Sequence, residues 1–273
     1  MNPKSLLLLS LCSLPLVAKA CDNPFGYSYL SETLAPGKVS FVQWATGRLG
    51  RDLGAGYDSG YRAVDLRSEL EFGLSEREQL SAYLNYRHFD TAVRDGLRFD
   101  GFQVAYMRML AHPDQEAWGS AIYIEPGYSQ SSSKSGALRD QYSLEVKYLL
   151  QHNLGEEGQD GIYAANLVGE VERVPSTGED ALTLKLTQGV AWQVGERWQA
   201  GLEAVVGAEW AEGSDFEHFT AFVGPCARYQ SEGSFFLTGT ALAQVAGSPT
   251  DKGELNVGDK SPWEIRLKAG FDF

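Results

Sequence analysis

The stretch Val64-Asp65-Leu66-Arg67-Ser68-Glu69-Leu70-Glu71-Phe72 alternates with period two. Val64, Leu66, Ser68, Leu70 and Phe72 share one face, and Asp65, Arg67, Glu69 and Glu71 share the other. A strand in a soluble core does not tolerate four charges in a row on a buried face, because each buried ion needs a partner. A strand held between lipid and an enclosed watery interior does tolerate them, with its apolar side outward and its charged side inward.

The pattern recurs along the chain. Tyr142, Leu144, Val146, Tyr148 and Leu150 alternate with Gln141, Ser143, Glu145, Lys147 and Gln151, with Leu149 the one break on the polar side. Tyr163, Ala165, Leu167, Gly169 and Val171 alternate with Asn166, Glu170 and Glu172. Trp198 to Val206 alternate with Gln199 and Glu203. The last segment sets Trp263, Ile265, Leu267, Ala269, Phe271 and Phe273 against Glu264, Arg266, Lys268 and Asp272. Segments of about ten residues suit a tilted strand crossing the hydrocarbon layer. No run of 18 apolar residues lies beyond residue 20, so a membrane span here has to be a strand of a closed barrel, which leaves no backbone group unpaired in lipid.

Carried through the chain, the reading predicts an all-β, antiparallel up-and-down transmembrane barrel of about twelve strands. They fall near residues 38–48, 61–74, 79–89, 99–111, 116–127, 139–151, 161–173, 181–193, 197–209, 217–230, 234–246 and 262–273. An even number puts both termini on the periplasmic side. Short connections at Ser75–Glu78, His112–Gln115, Gly195-Glu196 and Ser231–Gly233 suit that side, with 151–160 a long exception, and the alternate connections are expected to be longer and polar. Tryptophans collect at barrel interfaces: the threading puts Trp118, Trp192 and Trp198 at the periplasmic rim and Trp210 and Trp263 at the outer rim. Trp44 fits this threading less clearly.

Residues 1–20 read as an export signal, with Lys4 ahead of apolar Leu6–Leu11 and Leu14–Val17 and a small-residue cleavage site at Ala18-Lys19-Ala20. The mature chain is then expected to begin at Cys21, with 21–37 as an N-terminal periplasmic segment or partial plug and 38–273 as the barrel. Ala18 and Lys19 argue against lipidation of Cys21. A net charge of -13, made more negative by loss of the signal lysines, argues against nucleic-acid binding, which needs cations to neutralise phosphates.

The terminal strand ending in Phe271 and Phe273 looks like the signal that barrels present to their insertion machinery. Three further stretches, Phe25-Gly26-Tyr27-Ser28-Tyr29, Gln43-Trp44-Ala45-Thr46-Gly47-Arg48 and Tyr61-Arg62-Ala63 with Asp65-Leu66-Arg67 and Leu80 to Tyr86, resemble an uncharacterised, porin-like family of proteobacterial outer-membrane barrels. The resemblance covers about the first third of the mature chain. It implies fold and a location in the outer membrane of a Gram-negative cell, and supplies no activity. The partners expected on this reading are membrane lipid and lipopolysaccharide, the barrel-assembly machinery and a small polar solute, with the barrel a monomer.

Alternation assigns fifteen charged residues to the lumen. They are Asp65, Arg67, Glu69 and Glu71 on the second strand, Arg87 on the third, Glu125 on the fifth, and Glu145 and Lys147 on the sixth. Glu170 and Glu172 follow on the seventh, Lys185 on the eighth, Glu203 on the ninth, and Glu264, Arg266 and Lys268 on the last. An interior this narrow forces many of them to pair, so a salt-bridged plug and a narrow, weakly cation-preferring channel are both open at this point. Cys226 joins Thr220, Gly224 and Arg228 on the lumen side, and a Cys21–Cys226 disulfide would fix the N-terminal segment in the periplasmic mouth.

No phosphate loop, metal-protease pair or paired-cysteine metal motif is present, and neither a cofactor nor a metal is expected. The four histidines, His88, His112, His152 and His218, are scattered. His218-Phe219-Thr220 is the nearest echo of the spacing a barrel lipase uses, and Asp251, Glu254 and Asp259 are acidic loop residues that could meet Ca²⁺. The reading is therefore a non-enzymatic passive channel for small polar or cationic solutes. A closed structural or adhesive barrel acting through its outer loops is the rival, and a lipid-modifying barrel enzyme the third.

Overall fold

The computed structural model describes residues 23–52, 61–91, 94–133, 136–155, 160–212, 215–250 and 253–273. The export signal, Cys21 and Asp251 lie outside them. Twelve strands follow in order: β1 (Val39–Leu49), β2 (Arg62–Ser75), β3 (Glu78–Thr91), β4 (Arg94–Ala111), β5 (Gly119–Ser131) and β6 (Leu138–Leu154), then β7 (Gly161–Val174), β8 (Glu179–Gly195), β9 (Trp198–Ala211), β10 (Asp215–Gln230), β11 (Phe235–Ser248) and β12 (Trp263–Asp272). Each pairs antiparallel with its neighbours, and β1 closes the barrel against β12 with Ser40 opposite Asp272 and Leu49 opposite Trp263. Closure leaves no open edge, which is what a sheet in lipid requires.

The strands follow the expected segments closely and depart from them where strands run further than one bilayer crossing. β4 begins at Arg94 and β5 runs to Ser131. The connections at the end away from the termini are consequently not uniformly long. Two, four and three residues separate β3 from β4, β7 from β8 and β9 from β10, and only β1 to β2 and β11 to β12, with twelve and fourteen residues between them, are far apart in sequence. The contrast expected from loop length is carried by those two alone.

Leucine, valine and aromatic side chains cover the outside. Leu84, Phe102, Val104, Leu144, Val146, Leu167, Leu184, Leu202 and Leu267 are all exposed, forming the apolar belt of a barrel whose solvent is lipid. Trp118, Trp192 and Trp198 sit at the end that carries both termini, and Trp210 and Trp263 at the opposite end. Trp118 stacks on His152 at 4.9 Å, Trp198 packs on Tyr229 at 5.0 Å, and Trp210 meets Phe216 edge-on at 6.0 Å.

The interior is not the wholly watery, ionised space that alternation suggests. Tyr83, Ala105, Met107, Ala121, Tyr123 and Leu149 pack together inside, which gives Leu149, the break in the polar face of β6, an apolar partner set. Trp44 faces inward too, buried with Val42 and Phe236, and so belongs to neither rim. Of several register shifts around the barrel, the one between β3 and β4, a bulge, re-aims a charge: Tyr86 pairs with Phe99 and Asn85 with Gly101, leaving Asp100 between them and turned inward.

Candidate functional site

Inward positions on alternate residues bring ionised groups from different strands within reach of one another, and burial makes pairing obligatory. An unpartnered buried charge costs several kcal/mol, whereas a well-made pair roughly offsets its own desolvation. Near the end away from the termini, Asp65 accepts from Arg48 and Arg87, each at 2.8 Å. Arg87 also reaches Asp100 at 3.2 Å and donates to Ser131 at 3.1 Å. On the opposite wall Lys147 meets Glu145 at 2.8 Å, and Lys185 bridges Glu170 at 2.9 Å and Glu145 at 3.7 Å. Glu172 is half-buried, two residues beyond Glu170 on the same face of β7.

Between these groups lies an aromatic layer. Arg67 stands 4.5 Å over the Tyr83 ring and 5.8 Å from Trp44, donates to Asn85 at 3.0 Å and Gln103 at 2.8 Å, and lies 3.5 Å from Glu125. The Tyr123 hydroxyl donates to Glu125 and shares a hydrogen bond of 2.9 Å with Tyr83. Trp44 donates its indole N–H to Glu69 at 2.8 Å, Gln79 donates to Glu71 at 2.8 Å, and Lys268 lies 4.8 Å from the Trp44 ring.

Residues 23–36 occupy the space these walls leave. From Asn23, whose carbonyl accepts from Thr238, the segment turns at Gly26–Tyr29 in mid-barrel and reaches the end where β1 begins at Leu34. Glu203, 1% exposed, gathers three consecutive main-chain N–H groups: Gly26 at 2.9 Å, Tyr27 at 2.7 Å and Ser28 at 2.6 Å. It also accepts the Thr240 hydroxyl at 3.0 Å. Asn166 pairs with both main-chain groups of Tyr29, accepting its N–H at 2.7 Å and donating to its carbonyl at 2.9 Å. Gln151 accepts from Ser31 N at 3.0 Å, Gln79 from Leu34 N at 2.8 Å, and Arg266 donates to Gly26 O at 2.9 Å. The Tyr27 hydroxyl donates to Glu264 at 2.9 Å.

Two close approaches depend on missing side chains. A Cβ at Gly26 would lie 2.7 Å from Thr240 Oγ1, and one at Gly189 would lie 2.5 Å from the Phe25 ring, which fills that notch. Phe25 is buried with Leu30, Ala164, Ala191 and Cys226. The expected partner of Cys226, Cys21, lies outside the described residues.

At the other mouth, Asn256 folds back on β11, donating its N–H to Gln244 at 2.6 Å and accepting from the same side chain at 2.9 Å. Asp259 accepts from the Asn256 side chain at 2.9 Å, while Glu254 contributes its main-chain carbonyl to Gly247 N. Glu209, Glu217 and His218 bring one ligand atom each within 4.8 Å of one another, but Lys260 sits 3.7 Å from Glu209 and competes for that oxygen. His218 and Thr220 are buried on the inward face of β10, away from the lipid a barrel lipase would attack.

All fifteen expected lumen residues are half-buried or buried, on inward positions of their strands. Arg48, Asp100 and Glu209 are inward charges that the alternation reading does not include. Arg48 is in phase with Trp44 and Thr46, so extending the period along β1 would have found it. Asp100 had no such signal, because the bulge reverses its side. Breaking the outer knot is expected to be costly: Asp65→Ala leaves Arg48 and Arg87 facing each other and should lower stability by about 3 kcal/mol, the scale of a broken buried pair. Urea unfolding in lipid vesicles measures it, and a loss under about 0.5 kcal/mol, the range of ordinary surface changes, would show the knot to be solvated.

A closed antiparallel barrel with an apolar outer belt, an ion-paired interior and its own N-terminal segment inside has the fold of outer-membrane β-barrel proteins. The chain belongs to the family of unknown function DUF6662, whose model matches residues 17–273. Its fold is similar to that of an outer-membrane channel from Pseudomonas putida F1, at 11% identity over 89% of this chain and 98% of that one, with a TM-score of 0.60. It is also similar to the β domain of the Bordetella autotransporter BrkA, at 11% identity over 88% and 100%, TM-score 0.54. The NanC porin matches at 11% identity over 86% and 98%, TM-score 0.52. No curated protein sequence matches the chain.

Proposed function

We propose that this protein is a narrow, passive channel of the outer membrane for small polar or cationic solutes, closed at rest by its own residues 23–36. The observation that carries the reading is how that segment is held: Glu203, Asn166, Gln151 and Gln79 bind its main chain through hydrogen bonds that water could also satisfy. Segment and water are thus interchangeable occupants of one polar track, and exchange opens a path. The cation preference rests on the excess of acids over bases among the fifteen lumen groups, since focused negative potential concentrates cations. The likeness in fold to an outer-membrane channel is consistent with it.

In planar bilayers under a KCl gradient, the wild-type protein is expected to show brief openings whose reversal potential shifts toward that of K⁺. Reversal toward Cl⁻ would remove the cation preference. Silence in both wild type and plug-loosened variants would remove the channel. The rival reading, a closed structural or adhesive barrel acting through its outer loops, is favoured by the way Asn256 is buried against Gln244 across the far mouth.

A further inference from the structure

The walls of the lumen recognise the main chain of residues 23–36 more than its side chains. Six N–H groups, of Gly26, Tyr27, Ser28, Tyr29, Ser31 and Leu34, donate to wall side chains. Three carbonyls, of Asn23, Gly26 and Tyr29, accept from Thr238, Arg266 and Asn166. The Asn166 carboxamide is the most discriminating of these groups. It presents an acceptor and a donor side by side to the N–H and C=O of one residue, the complement of a peptide and not of a row of hydroxyls. Glu203, set against three successive amides, is likewise matched to a polypeptide. The largest side-chain seats are aromatic: the notch at Gly189 takes the Phe25 ring, Arg266 lies 3.9 Å over the Tyr27 ring, and Lys147 and Tyr123 lie 3.8 and 5.4 Å from the Tyr29 ring.

We infer that the lumen is a binding track for a short, turn-forming peptide bearing aromatic residues four positions apart, and that residues 23–36 are its resident occupant. The inference deepens the channel reading by naming the class of solute, and rests on the segment being displaceable. A peptide in trans inherits the same hydrogen bonds once the segment leaves, and competes with it at high effective concentration while it stays.

The test evicts the segment without touching the wall. Gly26→Val places a branched side chain where even a Cβ meets Thr240 at 2.7 Å. Should that variant not fold, as judged by heat-modifiable gel mobility, Ser28→Pro removes one of the three N–H donors to Glu203 and serves in its place. Full-length protein in nanodiscs is titrated with a fluorescein-labelled synthetic peptide of the sequence from Asn23 to Leu34, read by anisotropy. Saturable binding is expected, about tenfold tighter than to wild type, and about tenfold weaker again when Asn166→Ala is added or when the peptide carries Ala in place of Phe25 and Tyr29. Maltotriose at the same concentration should not displace the peptide. Absence of saturable binding to a folded, evicted barrel, or binding indifferent to Asn166→Ala, overturns the inference. An evicted barrel that conducts ions without binding peptide leaves the channel and removes the track. One that binds peptide without conducting does the reverse.

Discussion

Glu203→Ala is expected to raise the conductance of the reconstituted protein by at least about tenfold. The carboxylate is buried and serves Gly26, Tyr27 and Ser28 N–H together with the Thr240 hydroxyl. Removing it leaves the Tyr27 and Ser28 main-chain donors without an acceptor in a poorly solvated place, each costing about 1–3 kcal/mol, while Gly26 N keeps the Thr240 hydroxyl at 3.0 Å. The cost falls only on the plugged state, because in the open state water reaches the same groups. A shift of about 1.4 kcal/mol already changes the occupancy ratio tenfold, so even one unsatisfied donor is enough. Glu203→Gln keeps one acceptor oxygen in the same place and should open the channel less. Single-channel recording of both variants decides the matter: an Ala variant as quiet as wild type, with unaltered folding on gels, would mean that the segment is a permanent filling and that the closed-barrel reading is correct.

The strands were legible because charge accentuates the pleat. Where Asp65, Arg67, Glu69 and Glu71 or Glu264, Arg266 and Lys268 alternate with apolar residues, a slip of one position would put ions in lipid, so a single register survives. The seat of residues 23–36 was much less legible. Its wall partners Asn166, Gln151 and Gln79 are neutral amides, which alternation turns inward without saying what they bind, and its own contribution is main-chain N–H groups, which any sequence carries. The expectation of a partial plug at the mouth therefore understates how deep the turn at Gly26–Tyr29 reaches. The inward aromatics were hidden for a different reason. Tyr83, Tyr123 and Trp44 suit both a lipid face and a packed lumen, and only the phase of the charges on their own strands separates the two. Asp100 could not be read at all, because a bulge is a property of two paired strands and not of one.

The orientation of the pleat itself can be put at risk with neighbouring residues on the closing strand. Leu267 lies midway along β12, half exposed on the outside, opposite Ala45 of β1 and Gly239 of β11. Leu267→Arg should therefore place a guanidinium in the hydrocarbon layer and lower stability by about 2–4 kcal/mol, the cost of a basic residue near the bilayer midplane. Arg266→Leu, one residue away, faces the other side. It loses the hydrogen bonds to Gly26 O and Thr46 at 2.9 and 2.8 Å, so its main effect should be a looser segment and a larger current, with no lipid penalty. Urea unfolding in vesicles and bilayer current, measured on both variants, form a crossed pair: one substitution moves stability more, the other conductance more. The opposite crossing would place Arg266 against lipid, and with it every charge that shares its phase around the barrel, which neither the paired interior nor the closed sheet could then accommodate.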